Sequence, residues 1–160
     1  MVAVLVIFGP NLNMLGTRDP EIYGAASMAD IVRALSDQAA DLGRRIEMMQ
    51  SNEEGVLVTA IQKARGEAAA ILFNLAAYTH TSVALRDALA MFDGPKVEVH
   101  LSNNDRREAF RQVSLTAALS DGSIVGFGAD SFRLGLDAAH RLLLRRDGVG
   151  AIRQIRGGDT

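Results

Sequence analysis

The chain has 160 residues, of which 48% are hydrophobic and 22% charged, and its formal net charge is −2. This composition is typical of one globular domain with a real core, and the near-neutral charge argues against a nucleic-acid-binding surface. No cysteine is present, which excludes disulfides, zinc–thiolate sites and cysteine nucleophiles and suits a reducing compartment, the cytoplasm.

Five short runs along the chain, most of them apolar, have the length and flanking residues of β-strands. They cover residues 2–8, 45–50, 68–73, 96–101 and 123–127. The first run lacks a basic start and is too short to cross a bilayer, so we interpret it as a buried strand rather than a signal peptide. Residues 16–24 are polar and bounded by glycines, which predicts a mobile loop.

Amphipathic runs between these strands predict four helices. Residues 28–42 follow a Ser27 cap with Asp30 at the capping-box position, and a second helix, capped by Ser51 or Asn52, ends at Gly66. The third covers residues 82–92 and the last 131–145. Strands joined by helical crossovers predict an α/β domain with a doubly wound parallel sheet, residues 1–146, followed by a tail, 147–160.

Polar residues follow three of the predicted strands, in segments 9–13, 74–82, 100–104 and 107–111. Because parallel strands end at one edge of the sheet, we expect these segments to surround a pocket there. The dinucleotide-binding and phosphate-loop motifs are absent from the sequence, and the three histidines lack metal-ligand spacing. The sequence therefore predicts a small-molecule site without a nucleotide or a metal.

Glu98 and His100 lie two residues apart near the end of one predicted strand, so their side chains share a face. Arg107 follows, with Arg111 one helical turn further on, and arginines suit an anionic substrate. Two structural alternatives stay open. Glu98 and His100 could form a purely structural hydrogen bond, and the arginines could form a solvated helix face paired with Glu108 or Asp105.

Tyr23 ends the glycine-bounded loop, five residues after Arg18. A tyrosine can act as a base only where neighbouring cations stabilise its phenolate, and Arg18 and Arg107 are the candidates. Alternatively, Tyr23 covers a hydrophobic edge. The only lysines, Lys63 and Lys96, are predicted on a helix and at the start of a strand, which argues against an imine mechanism.

Several stretches carry a family resemblance in matching order and spacing through about Gly128. They are GPNLNMLGTRDPEIYG (9–24), QSN (50–52), NLAAYTHTS (74–82) and EVHLSN (98–103) followed by REAFR (107–111). In these stretches the chain resembles type II 3-dehydroquinate dehydratase. The resemblance implies a flavodoxin-like three-layer αβα sandwich with a five-stranded parallel sheet, and a dodecamer built from trimers. It also implies the reversible anti elimination of water from 3-dehydroquinate, through an enol or enolate, without metal, cofactor or Schiff-base lysine.

The resemblance also implies a role for each matching residue. Tyr23 matches the base, Arg18 the residue that stabilises its phenolate, and His100 the acid that protonates the departing hydroxyl. Glu98 matches the residue that orients the imidazole, and Asn11 the one that holds a water against the enolate oxygen. The matching substrate-binding positions are Asn74, His80, Leu101, Ser102 and Arg111, with Arg107 as a second arginine beside the tyrosine and Asp87 contributed by a neighbouring subunit.

The remaining alternatives concern both residues and function. His80 could cap the helix that begins near Ser82, and Asn11 and Asn74 could satisfy turn amides. Departures from the family pattern occur at Leu75-Ala76, Asp105, Val113, Leu115-Thr116-Ala117 and Ser131-Phe132. These departures motivate a second hypothesis, a non-catalytic relative that binds cyclic carboxylates. A flavodoxin or receiver domain is disfavoured, because the first strand ends in Gly9-Pro10-Asn11 and aromatic residues are few.

Overall fold

The computed structural model describes residues 3–17 and 19–156, the last eight of these by their backbone alone. Five strands form one sheet: β1 (Ala3–Phe8), β2 (Ile46–Gln50), β3 (Ala68–Asn74), β4 (Lys96–His100) and β5 (Gly122–Val125). Every neighbouring pair is parallel, and the strand order is β2-β1-β3-β4-β5. The order reverses beside β1, so this is the doubly wound, flavodoxin-like sheet that was predicted.

The helices cover both faces of the sheet. They are α1 (Pro20–Tyr23), α2 (Met28–Asp41), α3 (Glu54–Ala64), α4 (Val83–Ala90) and α5 (Asp130–Arg156). Val4, Val6 and Phe8 of β1 pack with α2 and α5, whereas Ile7 packs with α3 and α4. Because β1 is buried on both faces, its sequence is a continuous apolar run rather than an alternating one. The three-layer αβα prediction is confirmed.

Two of the predicted helix caps can be compared with the structure. The capping box of α2 is present: Asp30 N donates to Ser27 Oγ at 3.2 Å, and Ser27 N donates to Asp30 Oδ2 at 3.0 Å. The cap predicted for α3 is wrong, since its N-cap is Glu53. Asn52 instead accepts a hydrogen bond from Asn11 N, which ties the turn before α3 to the loop after β1.

Two segments differ from their predicted secondary structure. Helix α5 continues to Arg156, well past the predicted end at residue 145 and through the predicted boundary at 146. Gly148 and Gly150 weaken a helix without ending it, and no proline follows them. Residues 157–160 of the predicted tail lie outside the described residues. The loop predicted at 16–24 contains α1, which begins at Pro20, a residue suited to a first helical turn. Among the described helices, none is both long and apolar enough to span a bilayer.

The strand register brings the ends of four strands to nearly the same level. Phe8 at the end of β1 pairs with Gln50 of β2 and with Asn74 of β3, and Phe73 pairs with Glu98 of β4. The loops that leave these strands therefore start side by side at the carboxyl edge of the sheet. This is the edge at which open α/β sheets bind their ligands.

Candidate active site

A pocket opens at the carboxyl edge of the sheet, and the empty space within it is about 650 Å³. All four segments expected there from the sequence contribute to its wall. The lining residues are Pro10, Asn11, Leu12, Leu15, Tyr23, Asn74, Ala76, Ala77, His80, His100, Leu101, Ser102, Asn104, Arg107 and Arg111. A concave pocket with convergent polar groups suits a small polar molecule.

His100, which lines the pocket, belongs to a buried carboxylate–imidazole pair with Glu98. Glu98 is 1% exposed and His100 is 6% exposed, and Glu98 Oε1 lies 2.7 Å from His100 Nε2. Burial raises the pKa of Glu98, but the hydrogen bond and charge of His100 and the hydroxyls of Thr116 and Ser114 outweigh it, leaving this pKa below its usual range. A glutamate that stays ionised accepts a hydrogen bond from the ring and so fixes its orientation.

Tyr23, the last residue of α1, lines the same pocket. Arg107 Nη1 donates to the Tyr23 hydroxyl at 3.0 Å, and the guanidinium carbon lies 5.3 Å from the ring centroid. The same nitrogen donates to Ser102 Oγ at 3.3 Å. The expected arginine beside the tyrosine is therefore present in Arg107, while the other candidate, Arg18, lies outside the described residues. Tyr23 also packs against the core beside α2, so the hydrophobic-cover alternative describes part of its surroundings.

Arg111 and Arg107 share one acidic partner, Glu108. Glu108 Oε2 accepts from Arg111 Nε at 2.9 Å and lies 3.5 Å from Arg107 Nε. The hydrogen bond from the backbone of Glu108, together with these two arginines, holds the pKa of its carboxyl below the usual range despite some desolvation. The Glu108 pairing considered from the sequence is thus present, yet both arginines line the pocket.

The segment that carries these arginines is not the helix that the spacing suggested. Two short 3-10 turns, Asn104–Arg106 and Ala109–Gln112, occupy it. Such turns have no sustained period that a sequence pattern could reveal, and the i, i+4 relation of Arg107 and Arg111 does not come from an α-helical face. Their guanidiniums are instead brought together by Glu108 and by the pocket wall.

The loop after β3 supplies His80 and Asn74. His80 Nδ1 lies 2.7 Å from the carbonyl oxygen of Val113, and its ring stacks on that of His100 with centroids 6.4 Å apart. The helix-cap alternative for His80 is wrong, because Ser82 Oγ accepts from Leu85 N and caps α4. Asn74 Oδ1 accepts from Ala76 N at 2.9 Å, so its turn-satisfying role is real even though Asn74 also lines the pocket.

The loop after β1 is held close to the loop after β3. A Cβ added to Gly9 would lie 2.6 Å from the carbonyl carbon of Leu75, so only glycine allows this approach. Asn11 has a left-handed backbone (φ 67°), and its amide donates to Asn52 Oδ1 at 3.0 Å. Its side chain does not cap the following turn. Gln50 Nε2 donates to the same Asn52 oxygen. Gln50 and Asn52 therefore hold the loop that carries Asn11 in place.

One expected residue lies away from the pocket, and several pocket residues were not expected. Asp87 is exposed on α4 and is not in the pocket wall. Ser114 and Thr116, which lie outside the pocket wall, were not predicted either; their hydroxyls contact Glu98 across 16 and 18 residues of chain. Their signal in the sequence was weak: two hydroxyl residues spaced like Glu98 and His100, just after the arginine segment. The apolar residues of the wall were not singled out either: Pro10, Leu12, Ala76 and Ala77 lie within the expected segments, and Leu15 lies outside them.

This arrangement can hold an anion and move protons on two sides of it. The tyrosine hydroxyl with its arginine suits a base, the imidazole with its carboxylate suits an acid, and Arg111 suits a carboxylate of the ligand. Within the part of the chain that the structure describes, no three His, Asp or Glu side chains are grouped as metal ligands are.

A family model described as dehydroquinase class II matches residues 2–140. The chain belongs to the class II dehydroquinase family. A curated relative from Geotalea daltonii named 3-dehydroquinate dehydratase is 58% identical over 135 residues, which is 84% of this chain and 94% of that protein. One of the same name from Synechocystis is 54% identical over 135 residues, 84% of this chain and 89% of the relative.

Solved dehydroquinases share the fold. The type II dehydroquinase from Butyrivibrio crossotus superposes with a TM-score of 0.84 at 39% identity, covering 86% of this chain and 97% of that structure. The type II dehydroquinase from Propionibacterium acnes gives 0.84 at 34% identity, covering 88% and 97%. Both the sequence relatives and these structures agree with the resemblance stated from the sequence, and they favour a dehydroquinase over a non-catalytic relative.

Proposed function

We propose that this chain is a 3-dehydroquinate dehydratase, a hydro-lyase that converts 3-dehydroquinate reversibly to 3-dehydroshikimate by anti elimination through an enol or enolate. One observation carries the mechanism: Tyr23, Arg107 and His100 line the same pocket, Arg107 is hydrogen-bonded to Tyr23, and His100 is hydrogen-bonded to the buried Glu98, so that two separate acid–base pairs meet there. Elimination beside a ketone needs a base, stabilisation of oxyanion charge and an acid for the leaving group.

The first step of the reaction needs a base. Tyr23 removes the proton next to the ketone, and Arg107 stabilises the phenolate by its hydrogen bond and its charge. Arg18 is proposed as a second cation for the same phenolate, from the family resemblance alone. Asn11, which lines the pocket, is proposed to hold a water against the developing enolate oxygen.

The second step of the reaction needs an acid. His100 protonates the departing hydroxyl, and Glu98 keeps its ring oriented through the bond to Nε2. Arg111, the Ser102 hydroxyl and the backbone of Leu101 are proposed to bind the substrate carboxylate, with Asn74 and His80 on the substrate hydroxyls. All of these residues line the pocket, which supports the assignment.

The activity is tested by mixing the purified protein with 3-dehydroquinate and following the absorbance of the conjugated enone product. We expect the absorbance to rise and to be unaffected by a metal chelator. A folded protein that gives no enone at high concentration contradicts the proposal. A substrate with deuterium placed stereospecifically beside the ketone tests the anti course, because only the hydrogen opposite the hydroxyl should be lost.

An imine mechanism predicts a different result in the presence of borohydride. Lys96 Nζ donates hydrogen bonds to the carbonyl oxygens of Phe92 and Gly94, and neither Lys63 nor Lys96 lines the pocket. Borohydride added with substrate should therefore leave the activity intact. Loss of activity with a substrate-sized mass increase on Lys63 or Lys96 would reject the tyrosine-base mechanism.

The assembly is proposed to be a dodecamer built from trimers, in which Asp87 reaches a neighbouring site. Its exposure on α4, outside its own pocket, supports this assignment. Light scattering should give a mass twelve times that of the chain. Asp87→Ala should raise KM without altering that mass. Asp41→Ala, a change at an exposed residue of α2, should leave both KM and the mass unchanged. We also propose a cytoplasmic location, which the lack of cysteine supports.

A further inference from the structure

Glu98 accepts more hydrogen bonds than its pairing with His100 requires. Ser114 Oγ lies 2.9 Å from Glu98 Oε1 and 3.1 Å from Oε2, and Thr116 Oγ1 donates to Oε2 at 2.9 Å. Thr116 is fully buried, and neither hydroxyl residue lines the pocket. The mechanism assigned so far gives these two side chains no part.

The backbone of the same segment fixes the direction of the Ser114 hydroxyl. Ser114 Oγ accepts from Thr116 N at 3.2 Å and from Ala117 N at 2.9 Å. With its lone pairs engaged by these amides, its single proton is left for the carboxylate. The Thr116 hydroxyl lies 3.3 Å from Ser114 Oγ, so the two side chains form one ordered cluster under Glu98.

We propose that Ser114 and Thr116 are positioning residues that keep Glu98 ionised and thereby keep the shared proton on His100, where it can reach the leaving hydroxyl. The inference deepens the proposed function and rests on it. Neither residue touches the substrate. Both act through the carboxylate.

The physical basis is a competition for one proton inside a buried pair. The proton can lie on His100, opposite a carboxylate anion, or on Glu98, opposite a neutral imidazole. A buried site favours the neutral arrangement unless donors stabilise the anion. Removing the Thr116 hydroxyl destabilises every state that contains the anion, so the neutral pair gains population at the expense of the protonated imidazole.

The charged surroundings of the pair stay constant in this comparison. On the strands beside β4, Phe73 and Ser123 pair with Glu98 and are uncharged. The loop after β3 presents His80, which stacks on His100, and α4 presents Arg86, which donates to the Leu115 carbonyl at 2.8 Å. Neither of these two side chains bonds to Thr116, so a change there tests the hydroxyl itself.

The test replaces Thr116 by valine, which keeps the shape and removes the hydroxyl. We expect kcat to fall about tenfold, because a buried charge loses one hydrogen bond. KM should stay within about twofold, since Thr116 does not contact the pocket. The fall of kcat at alkaline pH should move to higher pH. The reason is that the proton lies more often on Glu98, so the pair releases it less readily. Thr116→Ser should restore both properties.

A matched control is available in the same region. Thr79 is also fully buried, and among the described residues its hydroxyl has no hydrogen-bond partner. Thr79→Val therefore removes a buried hydroxyl without removing a bond, and it should leave kcat and the pH profile unchanged. If Thr116→Val does not fold, Ser114→Ala is measured instead, with the same expected directions.

Each outcome separates this inference from the function it rests on. A Thr116→Val enzyme with the kcat and pH profile of the unaltered protein overturns it, as does a Thr116→Ser enzyme no better than the valine variant. An unaltered protein that makes no enone overturns the proposed function and, with it, this inference. Normal turnover by the unaltered protein leaves the function intact whichever way the variants behave.

Discussion

Arg107 links Tyr23 to Ser102, a residue proposed to bind the substrate carboxylate, because one guanidinium nitrogen donates to both the Tyr23 hydroxyl and Ser102 Oγ. The two acceptors come from α1 and from the residues after β4, more than 75 positions apart in the chain. This link makes the position of the tyrosine dependent on the ligand-binding segment. It also places positive charge beside the oxygen that is proposed to act as the base.

Replacing Tyr23 by phenylalanine should abolish most of the turnover while leaving binding intact. A general base contributes about 10²- to 10⁴-fold, so kcat should fall by that order. Enone absorbance measures the rate and calorimetry measures substrate binding. Tyr78→Phe is the control, because its hydroxyl donates to the Asn52 carbonyl outside the pocket. Near-normal turnover by Tyr23→Phe would eliminate the tyrosine as the base.

Arg107→Lys should lower kcat by about tenfold or more even though it conserves the charge. A lysine ammonium lacks the planar fork that reaches Tyr23 and Ser102 from one nitrogen while the other side faces Glu108. Arg106→Lys is the matched control on the neighbouring exposed residue. Equal rates for the two variants would show that Arg107 acts only as a diffuse charge.

Arg111→Ala should act on KM more than on kcat. A charged hydrogen bond to a carboxylate is worth roughly 1.5–3 kcal/mol, which corresponds to a rise in KM of about ten- to a hundredfold. Arg141→Ala serves as the control, because Arg141 pairs with Asp137 on α5 and lies outside the pocket. A fall in kcat with KM unchanged would place Arg111 among the groups that act on the transition state alone.

Acid should remove the contribution of Glu98 to the free energy of unfolding. Its pKa in the folded protein lies below the ordinary value of 4.5, so this contribution is complete above that pH. Below it the unfolded chain takes up a proton first, and the contribution is lost as the pH falls through the lower, folded-state pKa. Urea unfolding at several pH values should show a smaller acid-dependent loss in Glu98→Gln. Identical slopes would contradict this linkage.

Gly135→Ala should destabilise the protein by about 1–3 kcal/mol, as overpacking of a core does. A Cβ at Gly135 would lie 2.6 Å from Leu72 Cδ1 and 2.7 Å from Val99 Cγ2, between α5 and the sheet. Gly55→Ala in α3 is the opposite case, because no described atom lies within 4 Å of the added carbon. That variant should be neutral or slightly stabilised. Thermal unfolding of both proteins provides the comparison.

The fold was accessible from the sequence because its signals are local and repeated. Each strand is a short run bounded by glycine, proline or polar residues, and the predicted ends within the described residues differ from the observed ones by no more than two residues. The capping box of α2 was likewise readable from Ser27 and Asp30 alone. The end of α5 could not be predicted in this way. Gly148 and Gly150 suggest that the helix stops before them, but it continues through both to Arg156.

The site was accessible only in part, for a physical reason. Glu98 and His100 share a face because a strand has a period of two, so their contact follows from spacing. The contacts of Ser114 and Thr116 with Glu98 depend instead on the path of an irregular segment of short turns between β4 and β5. Such a path is determined by tertiary packing, and no periodic pattern encodes it.

The placement of β1 between β2 and β3 has a consequence for biosynthesis of the protein. The pocket takes its walls from residues as early as Pro10 and as late as Arg111, so a growing polypeptide cannot form the whole pocket until Arg111 has been synthesised. Ribosome-bound fragments that stop before the fourth strand should therefore lack any ligand affinity, however well their first helices have formed.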